Sequence, residues 1–209
     1  FIPLLEKSKQ IVKAGKWILD QALKNVNRIR CYYSDFNISV NVSYVQICEE
    51  DLFSYIHDTL KKYDLPGSVL TIELTETHFD EYPEKLQDFI GKCQSIGIRF
   101  ALDDFGSAYS SLSLLFKYSA NIVKLDKSLL KELHNSKDNE KLLKAIVNAC
   151  HEFGKKVCME GIETEEELHF TKRVFADTLQ GFYFYKPMEL QDFYEVMSAK
   201  YNEEKDIQS

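Results

Sequence analysis

A parallel (β/α) barrel is the fold class that this sequence predicts, on three observations. Extended and helical periodicity alternate strictly along the chain, which argues for a parallel sheet covered by helices. No glycine-rich phosphate loop follows the first strand and no Gly-x-Gly-x-x-Gly occurs, which disfavours a doubly wound dinucleotide fold. Each strand is apolar and then carries a hydrogen-bonding or charged residue near its C-terminal end, where the active face of such a barrel lies.

The elements follow in order. Apolar residues at helical spacing, from Leu4 and Leu5 through Ile11, Val12, Trp17 and Ile18 to Leu23, predict a helix over 4–25. An extended run predicts a first strand over 38–43. Residues 49–63 return to helical spacing and stop at Leu65-Pro66-Gly67. The second strand is expected over 69–76. Pro83 sits where a first helical turn accepts proline, and that helix runs to Ile96-Gly97. Further strands are expected over 98–103, 121–126, 156–160 and 178–185. Helices are expected over 109–118, 138–153, 164–175 and 189–201, with Gly154 closing the second of these. The whole of 1–201 reads as one barrel domain, and the polar tail 202–209 is expected to fray. A complete barrel needs eight strands and about 250 residues. Six strands in 209 residues therefore suggest that two N-terminal strands are missing. The opening Phe1-Ile2-Pro3, without an initiator Met, hints at a piece of a longer chain.

Composition narrows the function. Lys plus Arg number 26 against 33 Asp plus Glu, and no segment is a basic block, which argues against a reader of duplex DNA. No run of 18 apolar residues is present to span a membrane, and no signal peptide is visible. The cysteines, Cys31, Cys48, Cys93, Cys150 and Cys158, are odd in number and form no Cys-x-x-Cys pair. They are expected to be buried free thiols of a reducing, cytoplasmic compartment.

The strand-end residues are Asn41, Glu73, Asp103 with Asp104, Lys124 with Asp126, Glu160 with Glu163 just beyond, and Gln180. Gathering so many carboxylates costs several kcal/mol per ion unless they are paired, and Lys124 alone is not expected to offset them. Divalent cations would. Carboxylate and amide oxygens without a thiolate suit Mg²⁺ or Mn²⁺. Neighbouring residues in a strand point to opposite faces, so Asp103 and Asp104 are expected to share one centre only if the strand ends between them, with Gly106 allowing the bend. Two metals bridged by such a pair would activate a water on a phosphodiester, with Lys124 as a fixed positive charge. In the metal-free protein, Glu73→Gln is expected to relieve like-charge repulsion.

Asn41-Val42-Ser43, Glu73-Leu74-Thr75-Glu76, Asp103-Asp104-Phe105-Gly106, Tyr109-Ser110-Ser111-Leu112, Lys124-Leu125-Asp126, Glu160-Gly161-Ile162-Glu163 and Gln180-Gly181-Phe182 occur in the order and spacing of the EAL domain family, which the chain resembles from residue 1 to about 190. The resemblance implies a modified TIM barrel, often a homodimer, that hydrolyses bacterial cyclic di-GMP to linear pGpG. It implies that Asn41, Glu73, Asp103 and Asp104 are metal ligands and that Lys124 orients the catalytic water. It also implies that Glu160 is a further metal or water ligand, and that Glu163 and Gln180 support the site. Glu76 would steady the loop after Asp104. Fused sensory or cyclase domains are common companions in that family. The sequence departs from the pattern in three places. The Glu-Ala-Leu signature is absent, Ala108 stands where the family loop has glycine, and Met159 replaces a small residue. The missing signature glutamate leaves an alternative, a degenerate domain that binds cyclic di-GMP or a protein partner without cleaving. The aromatic run Phe182–Tyr185 could stack on guanine, but such a run is more often strand core, which is the expectation here.

Overall fold

The computed structural model describes residues 1–49, 51–75, 83–106, 119–129 and 137–208. Six strands form one sheet: β1 (Ile38–Asn41), β2 (Leu70–Thr75), β3 (Arg99–Phe105), β4 (Ile122–Leu125), β5 (Lys156–Met159) and β6 (Thr178–Leu179). Their order is β1-β2-β3-β4-β5-β6 and every neighbouring pair is parallel. The described helices are α1 (Ile2–Lys7), α2 (Gln10–Ile29), α3 (Tyr44–Ile47), α4 (Leu52–Lys62), α5 (Pro83–Ser95), α6 (Lys137–Glu152), α7 (Glu165–Arg173) and α8 (Leu190–Gln208).

The strand order never reverses. A doubly wound sheet reverses at its switch point, whereas right-handed crossovers in one direction put every helix on one face and curl the sheet into an arc of a barrel. The register shows which face is which. Val40, Ile72 and Phe100 pair laterally, as do Leu102, Val123 and Val157, and then Leu125, Met159 and Leu179. Most of these residues share one buried core with Leu23 of α2, Ile56 of α4, Phe89 of α5, Val147 of α6 and Phe170 of α7. The opposite face carries Asn41, Glu73, Ala101 and Ile122 in one lateral row and Lys124, Cys158 and Thr178 in the next. Strand alternation thus sends the apolar side chains out to the helices and the polar ones into the concave side.

The arc is open between β1 and β6. α8 spans that seam from outside: Tyr194 donates to Asn25 Oδ1 of α2 at 3.0 Å, and the Phe193 ring packs on Phe36. Beneath it runs a groove of about 640 Å³, with Val26, Ile29 and Ile38 on one wall and Phe182, Pro187 and Met188 on the other.

Several expectations change. The first helix is two helices, because Ser8 Oγ bonds back to the Leu4 carbonyl at 2.9 Å and Lys9 takes a left-handed conformation at φ 56°. The stretch 49–63 begins its helix only at Leu52, while α3 forms earlier, where Gln46 Oε1 accepts the Ser43 amide at 3.0 Å. β6 pairs over two residues only. Beyond it Gly181 lies against the Ile162 backbone, too close for any side chain, and the chain turns instead of extending. Phe182–Tyr185 are therefore exposed turn residues and not strand core. α8 continues to Gln208, past the expected end at 201. Cys93, Cys150 and Cys158 are buried as expected, but Cys48 is half-buried and Cys31 exposed. The helix expected over 109–118, with Ala108 and the Tyr109–Leu112 motif, lies outside the described residues.

Ile72 is fully buried in β2 between the sheet and its helices. Ile72→Ala is expected to cost about 2–5 kcal/mol of stability, read from the midpoint of urea unfolding.

Candidate active site

Lys124 is the hub of the concave face. It rises from β4 and is 5% exposed. Its Nζ lies 2.8 Å from Glu73 Oε2, 2.8 Å from Asp103 Oδ1 and 2.7 Å from Glu160 Oε1. Glu73 belongs to β2, two strand spacings away, or about 9–10 Å in a flat sheet. The long lysine stem spans the intervening β3, whose residue beside Glu73 is the small, buried Ala101. Three carboxylates, those of Glu73, Asp103 and Glu160, thus share one ammonium, and Asp104 stands beside them.

Asp103 and Asp104 reach one side by a route different from the expected one. β3 does not end between them but continues through Phe105. Leu102 pairs with Val123 and Phe105 with Leu125, so two residues on β3 stand opposite the single Lys124. That is a β-bulge, and Asp104 takes the left-handed conformation at φ 56° that goes with it. The extra residue cancels the alternation that would have sent Asp104 to the outer face. Carboxylate oxygens of Asp103, Asp104 and Glu160 consequently lie within 4.8 Å of one another.

The electrostatics follow from this crowding. Burial alone would lower the Lys124 pKa, but the hydrogen bonds to Asp103, Glu160 and Glu73 outweigh it and hold the pKa well above the usual lysine value. Lys124 stays an ammonium across the physiological range. Burial raises the Glu160 pKa, with the Asp103 and Glu73 charges adding to it and Lys124 offsetting only part. Burial and the charges of Asp103 and Asp126 raise that of Asp104. Asp126 behaves oppositely. Burial pushes it up, but the Ser128 hydroxyl and nearby amides hold it below the usual carboxylate range, and its Oδ1 accepts the Ser128 amide at 2.8 Å.

The donor set fits a hard divalent cation. All of its ligand atoms are oxygens, those of Asp103, Asp104 and Glu160 lie close enough to share one ion, and two of its carboxylates hold their protons more tightly than usual. Of the expected site residues, Glu73, Asp103, Asp104, Lys124 and Glu160 are brought together. Asp126, Glu163 and Gln180 line a hollow of about 280 Å³ that Glu160 shares. Asn41 pairs with Glu73 on β1 and lines a larger cavity alongside. Glu76 lies outside the described residues. Sequence reasoning overlooked Glu167, whose carboxylate holds the loop after Glu160. The spacing Thr164-x-x-Glu167 is a capping-box signature that would have exposed it.

Lys124→Met removes the shared cation and leaves the carboxylates unpaired. We expect a loss of about 3–5 kcal/mol near neutral pH that shrinks on acidification, as the carboxylates take up protons, measured by denaturation at several pH values. Glu73→Gln is expected to lower the melting temperature of the metal-free protein, because Glu73 is a direct partner of Lys124. The change also relieves the repulsion between Glu73 and Glu160, but the lost bond to Lys124 outweighs that relief. A carboxylate whose folded pKa is raised above its unfolded value costs stability once pH exceeds the unfolded value. Mn²⁺ is therefore expected to raise the melting temperature more at about pH 8 than at about pH 5, read by differential scanning calorimetry.

The EAL domain family profile matches residues 1–187. The bifunctional diguanylate cyclase/cyclic di-GMP phosphodiesterase MucR of Pseudomonas aeruginosa is 32% identical over 189 residues, covering 90% of this chain and 28% of that one. The cyclic di-GMP phosphodiesterase PdeR of Escherichia coli is 30% identical over 188 residues, covering 90% of this chain and 28% of its own length. This chain thus spans roughly a quarter of the curated relatives it matches. The solved structure described as PaMucR phosphodiesterase in complex with c-di-GMP superposes with a TM-score of 0.83 at 31% identity, over 92% of this chain and 78% of that one. Its sheet of consecutive parallel strands, its strand-end carboxylates and these matches agree: the chain belongs to the EAL domain family.

Proposed function

We propose that this chain hydrolyses one phosphodiester of cyclic di-GMP, giving linear pGpG, with Mg²⁺ or Mn²⁺ held by Asp103, Asp104 and Glu160 and with Glu73 and Asn41 completing the donor set. The observation that carries the reading is the convergence of Glu73, Asp103 and Glu160 on Lys124, at the C-terminal ends of parallel strands, in a member of this family. The bound metal would activate a water and neutralise phosphoryl charge. The side chains supply the rest. Lys124 presents a fixed positive charge to the phosphodiester. Glu160, with Oε1 committed to Lys124, has Oε2 left for the metal or its water. The water oxygen bonds to phosphorus as the bond from phosphorus to the 3′-oxygen breaks, and the proton given up by the water passes to that oxygen, which leaves as the 3′-hydroxyl.

The substrate also needs room for its bases. Beside Asn41 lies a largely apolar cavity of about 460 Å³ lined by Ile2, Ile11, Ile18, Val42 and Leu74. It also contains Gln46, whose Nε2 is buried without a partner among the described residues. A planar ring with hydrogen-bonding edges, such as guanine, suits a cavity of that character.

The test is turnover of cyclic di-GMP followed by chromatography of pGpG, with Mn²⁺ or Mg²⁺ present. Wild-type protein is expected to cleave, and Asp103→Asn is expected to lose at least about 100-fold in turnover while keeping its fold. Absence of turnover at micromolar protein rejects catalysis. Tight binding without turnover instead supports a degenerate receptor domain.

A further inference from the structure

Glu160 stands at the start of a loop that leads from β5 into α7, and nothing in its own strand fixes where that loop goes. Gly161 has φ 70°, and a side chain there would run into the Lys127 stem. The loop can therefore pivot beside Glu160 unless it is held. Two sets of bonds hold it. On one side the buried Ile162 donates its amide to the Gln180 carbonyl at 3.1 Å and accepts the Tyr183 amide at 2.9 Å. On the other side a single oxygen, Glu167 Oε2, accepts the amides of Glu163 at 2.7 Å and Thr164 at 3.0 Å. The Glu167 amide returns a bond to Thr164 Oγ1 at 3.2 Å. Glu167 is 8% exposed and lies outside the hollow that Glu160, Glu163 and Gln180 line.

We infer that Glu167 is a positioning residue of the active site: by clamping the amides of Glu163 and Thr164 it sets where Glu160 stands relative to Lys124 and Asp103. The inference rests on the reading of Glu160 as a metal ligand given above. Loss of the clamp frees two amides, lets the loop swing about Gly161 and loosens the Ile162 bonds to the segment that carries Gln180. A glutamine retains one oxygen able to accept both amides, and an alanine does not.

The experiment compares wild type, Glu167→Gln and Glu167→Ala in two readouts, with melting temperature as a control. Mn²⁺ affinity by electron paramagnetic resonance is expected to fall about 10–100-fold in Glu167→Ala and to stay near wild type in Glu167→Gln, the scale found for partners that orient metal ligands. Hydrogen exchange is expected to show lost protection at the Ile162 and Tyr183 amides, which Glu167 does not touch, in the alanine variant only. A lowered melting temperature with unchanged Mn²⁺ affinity and unchanged protection at those amides overturns the inference and leaves Glu167 as a helix cap alone. Should wild type bind no Mn²⁺, the phosphodiesterase reading falls, and amide exchange at Ile162 and Tyr183 still decides whether the clamp exists.

Discussion

One buried ammonium sets the geometry of the concave face. Lys124 contacts carboxylates on β2, on β3 and just beyond β5, so four strands of the sheet are tied through a single charge. Such a cluster is costly to desolvate and is worth keeping only where its geometry serves something else. The formal balance is also uneven, with Lys124 facing Glu73, Asp103, Asp104 and Glu160. The raised proton affinities of Asp104 and Glu160 are the local sign of that imbalance. The same imbalance makes the barrel mouth receptive to further cations, and it couples the fold to the chemistry, since the strands that bear the ligands are held by the residue that would face the substrate.

Around this hub the local backbone is arranged to aim carboxylates inward. The β3 bulge brings Asp104 to the side of Asp103 at the expense of a left-handed aspartate. The Asp126 turn keeps a second acidic group close by, with its charge stabilised by Ser128. The loops after β1 and β5 are each closed by a buried polar side chain that accepts backbone amides, Gln46 in one and Glu167 in the other. These devices are local, and each answers the question of where an amide at the end of a strand finds its acceptor.

Much of this was legible in the sequence because period and position carry it. Alternation of strand and helix gave the parallel sheet, and the polar residue at each strand end gave Glu73, Asp103, Lys124 and Glu160. The triple contact of Lys124 was not legible, since Glu73 and Lys124 are 51 positions apart and only the curl of the sheet joins them. The bulge was not legible either. It is a property of pairing with β4, and aspartate carries weaker preference than glycine for a positive φ. The aromatic run Phe182–Tyr185 misled for a related reason. Its composition suits a strand, but the ladder with β5 ends at Leu179, and the close approach of Gly181 to Ile162 turns the chain away.

The central claim is that the carboxylates around Lys124 form a divalent-cation site. Anomalous diffraction from crystals grown with Mn²⁺ tests it most directly. The account predicts a peak bounded by the oxygens of Asp103, Asp104 and Glu160, with Lys124 still paired to Glu73. A fully ordered mouth with no anomalous peak, or a peak confined to acidic residues elsewhere on the surface, would contradict it.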